Sequence, residues 1–313
     1  MLITYELLER LGFAADDIRY ILEKDKLYGN KIASIAKEYM SHNGFSSRKA
    51  YIDGEAEQNF KRAESGLKQT LTLCNESENE YISNLLFWLH CIPYAHKCYI
   101  REGIEEEVFY DTMKDLVYKT EECKAHYGKC GVYVDWFLHI FDLRLFSLGR
   151  LEYISSFYRF NPYTFGDYIL KKGDLVFDCH IPSSGKLTKD MCIDSFHRAY
   201  EFYKDFLPSS VLPVVCKSWL LYPPYIRSVF VPESNMTKFA SLFDINEEVS
   251  TGREFKDCIR VFSKPFNGNI KGFPDDNSLR RNFIRYIESG NEFGVGVGII
   301  LYDGEKREII NKG

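Results

Sequence analysis

The sequence has no apolar run long enough to cross a bilayer. Its most hydrophobic stretches, residues 84–100 and 211–221, are interrupted by His90, Pro93, His96, Lys97 and Lys217, short of the roughly 20 consecutive apolar residues that a spanning helix needs. No membrane partner is therefore expected. A basic excess is missing too: 40 Lys and Arg stand against 45 Asp and Glu, for a formal net charge of −5. A nucleic-acid binder carries a concentrated basic stripe, so nucleic acid is not an expected partner. There is no CxxC pair, and the nine cysteines are odd in number and irregularly spaced. They read as reduced thiols of a cytoplasmic protein. The opening MLITYELLERLGF holds acids and no basic-then-apolar leader, so no signal peptide is expected. Aromatic residues, at 16% of the chain, supply the surface to build a core, which excludes a disordered chain.

The segment HCIPYAHKC places His90, Cys91, His96 and Cys98 close together. Zinc sites recruit ligands in short, separated pairs. This spacing matches none of the common patterns, so no metal is expected, and the side chains read as buried groups near a helix kink at Pro93.

The organisation changes near Gly149. Before it, apolar residues recur at three- and four-residue spacing over Thr4–Leu11, Ala15–Lys24, Lys31–Met40, Glu57–Thr70, Glu80–Cys91, Ala95–Arg101, Glu105–Ala125 and Val132–Leu145, a helical pattern. Breaks fall at His42-Asn43-Gly44, Asn75–Asn79 and Gly128–Gly131, and no strand is expected before Gly149. After it, Arg150–Phe160, Thr164–Leu170 and Leu175–Ile181 read as a three-stranded antiparallel meander,. There follow a helix Thr188–Phe206, a strand Leu212–Leu221, a helix Met236–Phe243, a strand Cys258–Phe262, a helix Ser278–Ser289 and a glycine-spaced strand Gly294–Leu301. The fold class is α+β: a helical domain over residues 1–146, then a mixed-sheet domain over 147–313. Gly294, Gly296 and Gly298 strip one strand face of side chains, so that another backbone or a ligand can pack closely there.

The segment DLVFDCHIPSSGKLTKD runs from a strand through small residues into an amphipathic helix. Such a junction offers unpaired N–H groups and a partial positive charge to a phosphate. The candidate cradle is Ile181, Ser183, Ser184, Gly185, Lys186, Leu187 and Thr188. A P-loop would need glycine where His180 stands and Ser or Thr where Leu187 stands, so ordinary P-loop chemistry is not expected.

The order of elements in the second half resembles the GNAT superfamily of acyl-CoA N-acyltransferases. More closely, a helical first half followed by LGRLEY, HIPSSGKL and WLLYP looks like a bacterial acyltransferase family with an N-terminal helical domain and a GNAT-like C-terminal domain. The resemblance covers most of the chain. Of the family's usual glycine-rich loop, only Gly185 is matched. It implies an enzyme that moves an acyl group from acetyl-CoA or another acyl-CoA to a small-molecule or peptide amine. The acyl-CoA would lie between two splayed strands, here Leu175–Ile181 and Leu212–Leu221. Such transfer needs a base for the acceptor ammonium and an acid for the leaving thiolate. His180 is the candidate base. Glu152 and Asp178 are candidates to orient or replace it, and Tyr222 is the candidate thiolate protonator. Cys179 and Cys216 offer a different chemistry, acceptance of the acyl group itself, against a plainer reading as small buried hydrophobes. Two other readings stand beside the enzyme. One is a GNAT-shaped protein that binds CoA or a nucleotide-like ligand without turnover; the other is an interaction protein built on the aromatic-rich helical half.

Overall fold

The computed structural model describes residues 3–42, 53–74, 80–133 and 135–312. The breaks read at Asn43-Gly44 and Asn75–Asn79, and Val134, lie outside the described residues. By its internal contacts the chain divides into one unit of Met1–Leu148 with Pro182–Ser184 and a second of Gly149–Ile181 with Gly185–Gly313.

The first unit is built from α1 (Tyr5–Leu11), α2 (Ala15–His42), α3 (Asp53–Cys74), α4 (Glu80–Arg101), α5 (Glu106–Met113), α6 (Asp115–Tyr127) and the short α7 (Leu138–Phe141). Thr4 caps α1 by accepting from Leu7 N–H at 3.2 Å, and Gly12 closes it with φ +102°, the left-handed conformation that glycine adopts without a Cβ penalty. The core is aromatic. Trp88 stacks on Phe141 at 4.9 Å and meets Phe87 edge-on at the same distance, and such pairs add to the gain from their large buried area.

Besides Glu105–Ala125, which divides at Lys114 into α5 and α6, three helix boundaries differ from the sequence reading. Ala15–Lys24 and Lys31–Met40 are one helix, and so are Glu80–Cys91 and Ala95–Arg101, with Pro93 inside α4. Proline removes one N–H and clashes with the preceding turn. Here Phe87, Trp88, Cys91, Ile92, Ala95 and Cys98 are all buried around it, and their packing outweighs the local loss. The third boundary is at the end of the unit. Leu143, at φ +54°, ends the helical path, and Leu145–Leu148 form a strand, β1, with all four residues buried. A strand thus stands before Gly149, where none was expected.

The remaining elements are β2 (Leu151–Phe157), β3 (Tyr163–Phe165), β4 (Tyr168–Leu170), β5 (Leu175–His180), α8 (Lys189–Tyr203), β6 (Val211–Ser218), α9 (Pro223–Ser228), α10 (Asn235–Ala240), β7 (Asp244–Gly252), α11 (Cys258–Phe262), α12 (Ser278–Glu288), β8 (Phe293–Asp303) and β9 (Glu308–Ile309). One seven-stranded mixed sheet has the order β1-β2-β5-β6-β8-β7, with β9 paired to β8. β5 lies in its interior, antiparallel to β2 and parallel to β6.

The expected meander is corrected. The segment read as one strand, Thr164–Leu170, folds on itself as the β3–β4 hairpin through Gly166 (φ +55°), a separate two-stranded sheet, and β2 pairs directly with β5. Cys258–Phe262 is a helical turn rather than a strand, because a five-residue apolar run carries no period long enough to choose. One edge strand, β7, went unread because Asp244, Asn246, Glu247, Glu248 and Ser250 give it little apolar signal.

The sheet has two distinct faces. Against one lies α8: Tyr153 Oη and Ser195 Oγ are 3.0 Å apart, and Phe177 packs on Tyr203 with ring centroids 4.3 Å apart. On the other, Tyr158, Tyr163 and Leu170 close a core with Val176, Val215, Val297, Ile299 and Leu301.

Candidate active site

Alternation along paired strands decides which side chains meet. In the β2–β5 register Glu152 stands directly opposite His180, and Ile154 opposite Asp178. Directly opposed residues carry their Cβ atoms about 4.5–5.5 Å apart on the same face. Glu152 and His180 are therefore immediate neighbours, with Asp178 two residues back on the same face. Val176, two residues further back, is under the hairpin core, so Asp178 and His180 occupy the end of β5 that runs past that core. Glu152 is 1% exposed and His180 partly buried. Asp178 has Arg159 Nη2 at 3.8 Å, within ion-pair reach.

Tyr222 is not brought to this group. Cys216 pairs with Gly298 and Ser218 with Gly296, which puts the three glycines on the α8 face, opposite His180. An added Cβ on Gly294 would meet the Tyr222 ring, and one on Gly296 the Leu221 carbonyl. What packs on the glycine-stripped face is this backbone and ring. Burial pushes the Tyr222 hydroxyl pKa up, Glu248 and Glu292 add to the rise, and a hydrogen bond with Ser250 opposes it. Cys179 and Cys216 are buried on that same face. Burial, followed by the hydrogen bond to Cys216, pushes the Cys179 thiol well up, the opposite of what a nucleophile needs.

β5 and β6 pair as parallel strands at two positions only, Phe177 with Val214 and Asp178 with Val215. Beyond them, Cys179 and His180 on one strand and Cys216, Lys217 and Ser218 on the other share no register. The strands splay at the level of His180.

The chain after β5 forms the loop that leads into α8. Gly185 has φ +90° and open space on its Cβ side, a conformation that most residues adopt only at a cost. Gly185 and Lys186 are exposed, Leu187 is buried, and Ile181 and Ser184 are intermediate. Thr188 is the N-cap of α8, accepting from Met191 N–H at 3.4 Å. Its hydroxyl oxygen caps the helix, while the first-turn N–H groups of α8 point out of the helix end as in any N-terminus. Ser183 belongs with the first unit, where its Oγ donates to Glu122 Oε1 at 2.5 Å. A residue the sequence reading passed over is Arg150. Its guanidinium, on a residue 7% exposed, donates to Lys186 O at 2.8 Å and Gly185 O at 3.2 Å. The signal available was its place in LGRLEY, two residues before Glu152.

His90 is 2.8 Å from Asp25 Oδ1, and His96 packs on Phe109 at 4.7 Å. Among the described residues no group of three His, Cys, Asp or Glu is arranged to hold a metal ion. No helix among them is long and apolar enough to cross a membrane.

A mixed sheet with a splayed parallel pair, followed by a glycine-containing loop and a helix, is the frame of a GNAT-like acyltransferase domain. The family comparison agrees. Residues 145–300 match the GNAT-like C-terminal domain and residues 4–143 the N-acyltransferase N-terminal domain. The chain belongs to the acyltransferase family that joins these two domains. A search of curated proteins by sequence gives no significant match. Among solved structures, an acyltransferase in complex with decanoyl-CoA and teicoplanin aligns with TM-score 0.65 and 17% identity, over 95% of this chain and 86% of that one. An acyltransferase in complex with decanoyl-CoA aligns with TM-score 0.65 and 20% identity, over 94% and 86%. A third, a mutant in complex with octanoyl-CoA, has TM-score 0.65 and 16% identity, over 95% and 86%. These likenesses are of fold.

Proposed function

We propose that the protein transfers the acyl group of an acyl-CoA to an amine, with the thioester lying at the splay between β5 and β6 and the pyrophosphate at the loop Ile181–Thr188. The observation that carries this reading is the loss of β5–β6 pairing after Asp178 and Val215. A splay leaves backbone groups of both strand ends for the pantetheine arm to bond, and the Glu152–His180 pair flanks it. In the reaction, His180 takes a proton from the acceptor ammonium. The free amine then attacks the thioester carbon, and the tetrahedral intermediate collapses with departure of CoA thiolate and loss of the second nitrogen proton to water. Glu152 fixes the imidazole and stabilises its protonated form, and Asp178, held by Arg159, adds negative charge on the same face. The imidazolium is the nearest proton source for the thiolate.

That related structures hold octanoyl- and decanoyl-CoA makes medium-length acyl groups the first donors to assay, and teicoplanin in one of them makes an amine on a bulky peptide-like scaffold the first acceptor class. The test is calorimetric titration with CoA and with acetyl-, octanoyl- and decanoyl-CoA, followed by thiol release in the presence of amine acceptors. Binding with acceptor-dependent thiol release supports transfer. Binding without release against any acceptor would make the protein a CoA-binding module, and absence of binding would remove the donor altogether.

A further inference from the structure

We propose that Arg150 is a positioning residue for the anionic end of the acyl donor: it turns two consecutive peptide units so that the N–H groups of Lys186 and Leu187 face the donor's pyrophosphate. The proposal rests on the placement of acyl-CoA given above. Its basis is stereochemical. Arg150 Nε donates to Lys186 O at 2.8 Å and an Nη to Gly185 O at 3.2 Å. Among the described residues all peptide bonds are trans, and a planar trans unit points its N–H opposite to its C=O. With both carbonyls drawn toward the guanidinium, the N–H groups of the same two units, those of Lys186 and Leu187, point away from it. Among the described residues neither donates a backbone hydrogen bond within the protein.

Two consecutive N–H groups facing one way form an anion-binding concavity. Their carbonyls bear a cation on a residue only 7% exposed, and hydrogen bonds in series polarise one another. The guanidinium fork suits this task because it reaches two acceptors in one fixed plane; an ammonium is a single point charge. Gly185, with φ +90°, lets the first of the two units turn. Arg150 touches no part of the reacting thioester in this arrangement, and its effect is confined to donors that carry phosphate.

The experiment compares two donors with the same acyl group: acyl-CoA, and acyl-pantetheine, which lacks the pyrophosphate. For each variant the ratio of kcat/KM for the two donors is measured. This ratio cancels any loss of correctly folded enzyme. In wild type the ratio strongly favours acyl-CoA. Arg150→Met is expected to lower it by about 10- to 100-fold, the range for losing charge-assisted hydrogen bonding, through KM for acyl-CoA with kcat nearly unchanged. Arg150→Lys restores part of it. If Arg150→Met does not fold, the Arg150→Lys ratio decides, and calorimetric Kd values for CoA against pantetheine give the same comparison without turnover. A variant in which both donors lose equally would make Arg150 a structural residue and overturn the proposal. A wild-type enzyme indifferent to the pyrophosphate would instead overturn the placement of the donor on this loop.

Discussion

The two faces of the sheet at the ends of β5, β6 and β8 are built from opposite materials. On the α8 side the strands carry Cys179, Cys216, Gly298, Gly296 and Gly294, and the space is filled by Leu221, Tyr222 and Phe243. On the other side they carry Glu152, Asp178 and His180. The first face was emptied of side chains so that backbone and rings could approach. The second carries titratable groups where strand pairing stops. Both look alike in sequence, as interruptions of apolar strands. Only the register separates a packing face from a chemical one.

The largest effect expected on the chemical face follows from His180. His180→Ala should lower kcat by roughly 10²- to 10⁴-fold, the usual share of general-base catalysis, with CoA affinity nearly unchanged. The fall should be greatest near neutral pH, where an imidazole is an efficient base. Glu152→Gln keeps the shape and removes the charge beside the imidazole, and should lower kcat by less than His180→Ala does, because the imidazole itself remains. A His180→Ala enzyme with full activity from about pH 6 to 9 would take His180 out of the mechanism. The chemical face would then rest on Glu152 or Asp178.

On the packing face the effect should appear in stability instead. Gly296→Val places a Cβ against the Leu221 carbonyl, which cannot yield without moving the end of β6. Overpacking of this kind costs about 1–3 kcal/mol, sometimes more, and should be read as a lower midpoint in urea. Residual folded enzyme should keep its KM for acyl-CoA. An unchanged midpoint would mean that the glycine face has room, and would reopen it to a ligand.

Much of this was legible before any coordinates. Helical period before Gly149, alternation after it, and the small residues between Cys179 and Thr188 were enough to read the fold class and the candidate loop. What was not legible is equally specific. Tyr222 follows the splayed strand in sequence, yet a turn of 3₁₀ helix at Trp219–Leu221 carries it onto β8. Arg150 was passed over, since the distance from Arg150 to Gly185 and Lys186 is set by the loop's path and not by spacing. β3 and β4 read as one strand because two three-residue strands with a glycine turn leave no room for a period. For Tyr222 and Arg150 the missing information is a long-range contact, and for β3 and β4 it is a tight local turn.

The loop gives the next smaller effect, and one that sharpens the contrast with Gly296. An added Cβ on Gly185 meets no atom, so the cost of Gly185→Val is conformational, from φ +90°. The loop should relax away from the carbonyl positions that Arg150 holds. CoA binding should weaken by about 10- to 100-fold, as for the loss of a charge-assisted hydrogen bond, while the urea midpoint changes little. One glycine is thus needed for space and the other for backbone freedom. Unchanged CoA affinity in calorimetry would move the pyrophosphate elsewhere.

The smallest effect belongs to Tyr222, and it tests whether the two faces are separate at all. If its hydroxyl protonated the departing thiolate, Tyr222→Phe would remove a general acid, and kcat should fall by about 10²-fold or more. The packing argues otherwise: the ring fills the space over Gly294 on the face opposite His180. Burial, followed by Glu248 and Glu292, raises its pKa, and the Ser250 hydrogen bond opposes the rise; the hydroxyl keeps its proton, and what separates it from the thiolate is its position over Gly294. Phenylalanine preserves the ring and loses one hydrogen bond, worth about 0.5–1.5 kcal/mol. The expected outcome is therefore a slightly lower melting temperature, with kcat within about threefold of wild type and an unaltered pH profile, since no general-acid contribution is removed. A hundredfold loss of kcat in a variant that melts normally would place the Tyr222 hydroxyl at the thioester sulfur, and the packing face and the chemical face would have to meet at the end of β6.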